Sequence, residues 1–252
     1  MSVDVPYARV EEARAKMLDL FPHGFEEVER PDGIELVAYT DASGEERLWQ
    51  TFGAADGAEV PAGWEDEWRR FHRPVRVGRL WVGPPWETPD ADAVAVVVNP
   101  GRAFGTGSHP TTRLCLELLQ EVERGSLLDV GCGSGVLAIA AAKLGFRPVT
   151  AVDVEQPAVE ATRANAAVND VAVEARLLDA ARDELPRADL AVANITLAAV
   201  DEIAPRVVAT TLVTSGYLDA DRPAPVGWRR AERRTSGGWA ADRWTRAIVE
   251  KT

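Results

Sequence analysis

One glycine-rich turn, two aspartates and an asparagine are the residues of this sequence whose types and spacing could do chemistry together. The stretch DVGCGSG, residues 129–135, puts Gly131, Gly133 and Gly135 between an apolar run and a helical pattern. Glycines at such a turn let backbone come close to a ligand, and the helix start behind them offers unpaired N–H groups. Asp153 closes the next apolar run, 18 residues after Gly135. A carboxylate at that distance can accept hydrogen bonds from both hydroxyls of a ribose. Its plainer role would be to cap the helix that starts near residue 157. Turn and acid together point to an adenosine-bearing ligand, which leaves NAD and S-adenosylmethionine.

The spacing separates these two. Dinucleotide-binding turns read Gly-x-Gly-x-x-Gly and cradle a pyrophosphate, whereas the order here is Gly-x-Gly-x-Gly. Asp129, just before the turn, would repel a pyrophosphate if it pointed inward and would favour the ammonium of a methionine moiety. Capping its own turn is the alternative. S-adenosylmethionine is therefore the expected cofactor, and an NAD-dependent oxidoreductase is the rival reading. Cys132 reads as a small filler within the turn. Asn194, in VANIT, ends a later apolar run, where its side-chain carbonyl could accept hydrogen bonds from an acceptor nitrogen. Its other reading is the cap of a helix from residue 197. The stretch resembles the motif of many amino-group methyltransferases, in which an aromatic residue after the asparagine stacks on a flat acceptor; Ile195, Thr196 and Leu197 replace that pattern here, and the resemblance then implies an aliphatic amine.

These residues need elements that bring them to one place. From about residue 94 the sequence alternates apolar strand-like runs (126–130, 148–154, 173–179, 188–195 and 212–217) with helical segments (134–144, 157–168 and 197–208). Nearly continuous apolar strands between helices predict a mostly parallel, doubly wound α/β sheet. Right-handed crossovers would put the C-terminal ends of all these strands on one edge, where ligands bind. A helix is predicted over 110–122, with Pro110 in its first turn and Leu114, Leu118, Leu119 and Val122 on one face. The tail, 235–251, reads as a closing hairpin. Residues 7–83 have another texture: strand-like runs at 24–30, 33–40 and 75–83 beside a helical stretch over 10–20. Trp64, Trp68 and Phe71 mark a short amphipathic helix stopped by Pro74. The expected organisation is a small acidic α+β domain over 1–83, a connector and lead-in strand over 84–98, and the sheet domain over 99–252.

Bulk properties narrow the class. The chain has 252 residues, 46% of them hydrophobic and 27% charged, and only two cysteines. No apolar run is long enough to cross a bilayer, and the N-terminal residues lack the pattern of a signal peptide. The expected setting is the cytoplasm, without a disulfide framework. Residues 1–98 hold 10 Lys and Arg against 20 Asp and Glu, while residues 99–252 hold 18 against 20. So acidic a segment repels nucleic acid and attracts a basic protein. No metal, no membrane and no direct nucleic-acid partner are expected, and the chain is expected to act as a monomer.

DVGCGSGVLAIAAAKLG followed by AVDVEQPAVEATRANAAVN resembles the first two motifs of the Rossmann-like S-adenosylmethionine-dependent methyltransferases. NPGRAFGTGSHPTTRLCLELL, DVGCGSG, VANI and SGYL in that order resemble one family more narrowly. It is the bacterial ribosomal protein methyltransferase family that modifies amino groups of protein eleven of the large subunit. The likeness covers residues 64–218 well, and is loose before and thin after them. It implies that Phe104, Gly105, Thr106 and Gly107 line the cofactor pocket opposite Gly131–Gly135. An aromatic face there could cover methionine or adenine, and a sulfonium beside it gains roughly 0.5–2 kcal/mol. It implies, too, an acidic N-terminal domain that recruits a basic ribosomal protein, and methyl transfer to lysine or N-terminal amines beside Asn194. Another protein or a small amine is the alternative acceptor. His109 reads as a cap or a packing residue rather than a base, and Thr111 and Thr112 could cap the helix or reach the ligand.

Overall fold

A computed structural model describes residues 1–21, 25–30, 32–38, 42–53, 73–99 and 107–247. The chain divides into two compact units, residues 1–67 and 68–252. In the first, strands β1 (Ser2–Pro6), β2 (Glu26–Arg30) and β3 (Gly33–Val37) form an antiparallel sheet in the order β1-β3-β2. Helices α1 (Val10–Leu20) and α2 (Ala42–Phe52) complete what is described of it. Val3 and Val5 alternate inward on β1, Ile34 and Leu36 on β3. Val10, Ala13 and Met17 of α1 and Leu48 of α2 close this core. The spacing anticipates α1 to the residue. The short amphipathic helix expected around Trp64 to Phe71 lies outside the described residues.

The second unit opens with a three-stranded sheet of β4 (Val75–Val77), β5 (Leu80–Gly83) and β6 (Val94–Val97), β5 lying between the other two. The boundary expected after residue 83 therefore moves back to 67, and residues 84–98 lie inside the larger unit. Val77, Leu80, Val82 and Val96 share one apolar cluster with Leu114, Leu118 and Leu119 of α3 (Pro110–Glu121). Gln120 of α3 also donates to Val77 O and accepts from Arg79 N–H. Strand-like runs look alike on either side of a domain boundary, and only their burial partners decide which core they join.

The main sheet is built from β7 (Leu127–Val130), β8 (Val149–Asp153), β9 (Glu174–Leu177), β10 (Leu190–Asn194), β11 (Thr211–Leu218), β12 (Trp228–Ser236) and β13 (Trp239–Arg246). Their order is β9-β8-β7-β10-β11-β13-β12. The first five pair parallel, and β13 runs antiparallel to both β11 and β12. Successive residues face opposite layers, as strand geometry requires. Leu127, Leu190, Val192 and Val213 enter the cluster that holds α3 and α4 (Val136–Leu144). Leu128, Ala191, Ala193 and Leu212 enter the other, with Trp228 and Trp244. Both faces are covered, which is the doubly wound arrangement the apolar runs predict.

The two remaining helices are α5 (Gln156–Val168) and α6 (Leu197–Ile203). The helix expected over 197–208 stops early because Pro205 has no N–H to continue the ladder. Strand order reverses beside β7: the chain runs outward through β8 and β9, then returns to β10 on the other side of β7. The C-terminal ends of β7, β8 and β10 thus meet at a topological switch point, where open α/β sheets bind ligands. Among the described residues no helix is long and apolar enough to span a membrane, and no cluster of His, Cys, Asp or Glu could hold a metal ion.

Candidate functional site

The glycine turn leaves β7 and enters α4 at the switch point. Gly131 has φ +73°, and a Cβ there would stand 2.5 Å from Ile195 Cγ2. A side chain at 131 would meet both backbone strain and the residue that follows Asn194. The Gly131 and Cys132 N–H groups donate to Val152 O at 2.9 and 3.1 Å, which pins the turn to the end of β8. Asp153, next in line on β8, accepts from Gly133 N–H through one oxygen and from Glu155 N–H through the other, each at 3.0 Å. The N-cap position of α5 is Glu155, not Asp153. The Asp153 carboxylate therefore bridges the turn and the chain leaving β8, with lone pairs on both oxygens still open to a ligand.

Asn194 ends β10, and its Nδ2 donates to Thr112 Oγ1 at 3.2 Å. The cap of α6 is Thr196, whose hydroxyl accepts from Ala199 N–H. The capping role weighed for Asn194 belongs to its neighbour, and Asn194 is left at the sheet edge beside Gly131. Thr112 is buried and reaches this edge from α3.

Asp129 behaves differently from Asp153. It is 1% exposed, and its Oδ2 accepts from Ala138 N–H at 3.0 Å, behind the turn, so it caps α4 from below. The charge expected to face an ammonium is buried at a helix start instead. Burial pushes its pKa up to about 7, the nearby Asp153 charge adds to the rise, and the Ala138 N–H opposes it. The Cys132 thiol lies 3.2 Å from Thr162 Oγ1 and is pushed up to about 12, first by burial and then by Asp129. A thiol so far from ionisation is no nucleophile. It fills space, as its position suggests. His109 is the N-cap of α3, its ring edge-on to Trp239 at 4.8 Å, and its Nδ1 accepts from Thr111 N–H. It caps and packs.

Phe104, Gly105 and Thr106 lie outside the described residues, which end at Asn99 and resume at Gly107. Asn99 N–H donates to Asn165 Oδ1 at 3.1 Å, and Asn165 Nδ2 donates to Ser134 O of the glycine turn at 2.9 Å. A Cβ on Gly107 would stand 2.5 Å from Val82 Cγ1 and 3.9 Å from Val136 Cγ2, at the first residue of α4. Both flanks of the stretch are thus anchored near the glycine turn. The sequence reading missed Val154 and Leu177, which are 63% and 56% exposed at the edge that carries Asp153. Leu177 pairs with Asp153 across β8 and β9. An apolar residue directly after a strand-end acid was the available signal.

The family model described as ribosomal protein L11 methyltransferase (PrmA) matches residues 35–222. The chain belongs to this family. Among its relatives, the ribosomal protein L11 methyltransferases of Shewanella sp. (strain ANA-3) and Shewanella baltica (strain OS195) are 45% and 46% identical over 160 residues. Those alignments take in 62% of this chain and 54% of each relative. The chain thus spans about half the length of the curated relatives it matches. The crystal structure of a ribosomal protein L11 methylase from Lactobacillus delbrueckii subsp. bulgaricus aligns with a TM-score of 0.64 at 27% identity. It covers 70% of this chain and 100% of that one. This likeness supports the doubly wound, mostly parallel sheet of this family member.

Proposed function

We propose that this chain is an S-adenosylmethionine-dependent protein N-methyltransferase acting on lysine or N-terminal amines of a large-subunit ribosomal protein. The observation that carries the reading is the meeting of Gly131–Gly135, Asp153 and Asn194 at the switch point of the sheet. The donor set fits the cofactor. Asp153 only accepts hydrogen bonds, which suits a ribose diol. The Gly-x-Gly-x-Gly order of the turn counts against the NAD alternative. Val154 and Leu177 offer apolar surface beside Asp153 for a planar base. Gly131, Gly133, Gly135 and Asp153 would hold the cofactor, with Phe104, Gly105, Thr106 and Gly107 lining it from the other side and Asp129 bracing the turn.

S-adenosylmethionine supplies, when bound, a methyl group already activated on a sulfonium sulfur. The protein's task is then chiefly one of position, and near-attack geometry alone contributes several kcal/mol. Asn194 would accept an N–H of the acceptor amine through its side-chain carbonyl, its amide nitrogen being engaged by Thr112. A lysine with an ordinary pKa of about 10.4 must first lose a proton. Desolvation in a closed site lowers that pKa, and the proton leaves to water. The acidic N-terminal segment would draw in a basic substrate. The same reading puts the chain in the cytoplasm as a monomer acting on protein rather than nucleic acid.

The test is incubation with methyl-labelled S-adenosylmethionine and purified ribosomal proteins, followed by mass spectrometry of the labelled band. Label on a large-subunit protein's amine is expected. Label on another protein or a small amine alone would change the acceptor. Titration with S-adenosylhomocysteine and NAD in parallel separates the methyltransferase from the oxidoreductase, and heat released by NAD alone would reverse the assignment.

A further inference from the structure

Two asparagines of the last turn of α5 and its C-terminal cap are almost wholly buried, Asn165 at 3% and Asn169 at 4% exposure. An asparagine amide can satisfy a backbone carbonyl and a backbone N–H at once. Asn169 does so with a single residue of β6: its Oδ1 accepts from Val97 N–H at 2.8 Å and its Nδ2 donates to Val97 O at 2.6 Å. Asn165 does so with two different segments. Its Nδ2 donates to Ser134 O in the glycine turn at 2.9 Å, and its Oδ1 accepts from Asn99 N–H at 3.1 Å, just beyond β6.

We propose that Asn165 is a positioning residue for the cofactor site, tying the glycine turn to the chain leaving β6 so that the two keep one spacing. The proposal rests on the cofactor reading above and deepens it. Neither bond replaces a rung of the sheet. The glycine turn has its own bonds to β8, and Val98 N–H already donates to Gly83 O at 2.9 Å. What Asn165 adds is a shared reference point for both. Asn169 is the comparison: it makes the same kind of bidentate contact from the same helix without touching the turn, and meets Asn165 only at its backbone carbonyl, 2.8 Å from Asn169 Nδ2.

The experiment measures the affinity of S-adenosylhomocysteine by calorimetry for the whole chain and for Asn165→Ala, Asn165→Asp and Asn169→Ala, each below its own unfolding transition. The aspartate keeps an acceptor for Asn99 N–H but sets a second oxygen against Ser134 O. Loss of about tenfold in affinity is expected for both Asn165 variants, the usual consequence of unpairing a buried polar group. The Asn169 variant is expected to unfold at lower temperature yet bind like the unmodified chain. In the methylation assay the KM for S-adenosylmethionine should rise at Asn165 while kcat holds. Asn165→Ser takes the place of the alanine variant if that one does not fold. Unchanged affinity at Asn165, or equal loss at Asn165 and Asn169, overturns the inference while the cofactor reading stands. No binding by the unmodified chain overturns both.

Discussion

At the scale of single residues, the two aspartates of the candidate site differ in burial and in what holds them. Asp153 sits at the sheet edge with its oxygens oriented by Gly133 and Glu155, while Asp129 is buried behind the turn at the start of α4. Their responses to pH differ accordingly. An unfolded aspartate releases its proton near the ordinary value of 3.8, whereas folded Asp129 holds one up to about 7. Between these values the folded state binds more protons, so this group's contribution to stability falls as pH rises from about 4 to about 7 and is flat above. Asp129→Asn keeps an acceptor for Ala138 N–H and removes the ionisation. Its stability relative to the unmodified chain should therefore climb across that window, by an amount on the order of a few kcal/mol. Urea unfolding at stepped pH checks this, and parallel pH curves would count against it. Asn194 makes a different prediction. Asn194→Ala should lower turnover by about 100-fold, the scale of a misplaced acceptor, while S-adenosylhomocysteine affinity stays near its original value. Equal loss of both would move Asn194 from the acceptor to the cofactor. The glycine turn, Asp153 and Asn194 were legible in the sequence because each stands at a strand end followed by a turn. Asn165 was not, since a polar residue in a helix reads as solvent-facing until its partners in other segments are known.

At the scale of elements, the edge beside Asn194 depends on how β11 is shaped. β11 carries a register shift between Ser215 and Tyr217. Gly216 there has φ +102°, and a Cβ would stand 2.0 Å from Ile195 O. Ile195 N–H donates to Ser215 O at 3.1 Å, so the irregularity receives the chain just past Asn194. Below it Tyr217 OH lies 2.7 Å from Thr214 Oγ1 and 2.8 Å from Oδ2 of Asp242 on β13. Asp242 is fully buried, with Arg233 Nη1 at 3.2 Å. Burial raises its pKa, against the opposing pull of Tyr217, Arg233 and Arg230. Tyr217→Phe removes one of the few groups that stabilise this carboxylate, and should cost about 1–3 kcal/mol. An unshifted urea midpoint would show that the arginines suffice. Most of the parallel strands were legible because nearly continuous apolar runs leave no solvent face, β9 (EARL, one residue of it buried) being the exception, and their helices because apolar residues recur every turn. β1 and α2 were not read. SVDVP is too short to stand out, and ASGEERLWQTF is mostly polar, so both depend on partners for burial. The assignment of β4 and β5 failed for a related reason: their apolar side chains suit either core, and packing against α3 decided the matter.

At the scale of the whole molecule, charge rather than shape makes the testable claim. The formal net charge is −12, and most of the excess acid falls in residues 1–98. Many of these acids are exposed and partnered only locally, as with Glu12 beside Arg9 and Lys16. Exposed pairs of this kind contribute little to stability, but the uncompensated field reaches a Debye length, about 10 Å at 0.1 M salt and about 3 Å at 1 M. If that field gathers a basic protein substrate, added salt should raise the KM for the protein and leave kcat unchanged. The affinity for S-adenosylhomocysteine should hardly move, because the contact proposed for Asp153 would act over hydrogen-bond distance within the larger unit. Charge-reversing several exposed acids of residues 1–53 to lysine should reproduce the high-salt KM at low salt and make it insensitive to further salt. A KM for the protein that ignores both salt and charge reversal would mean that recruitment relies on apolar contact, and the acidity of the N-terminal unit would then need another explanation.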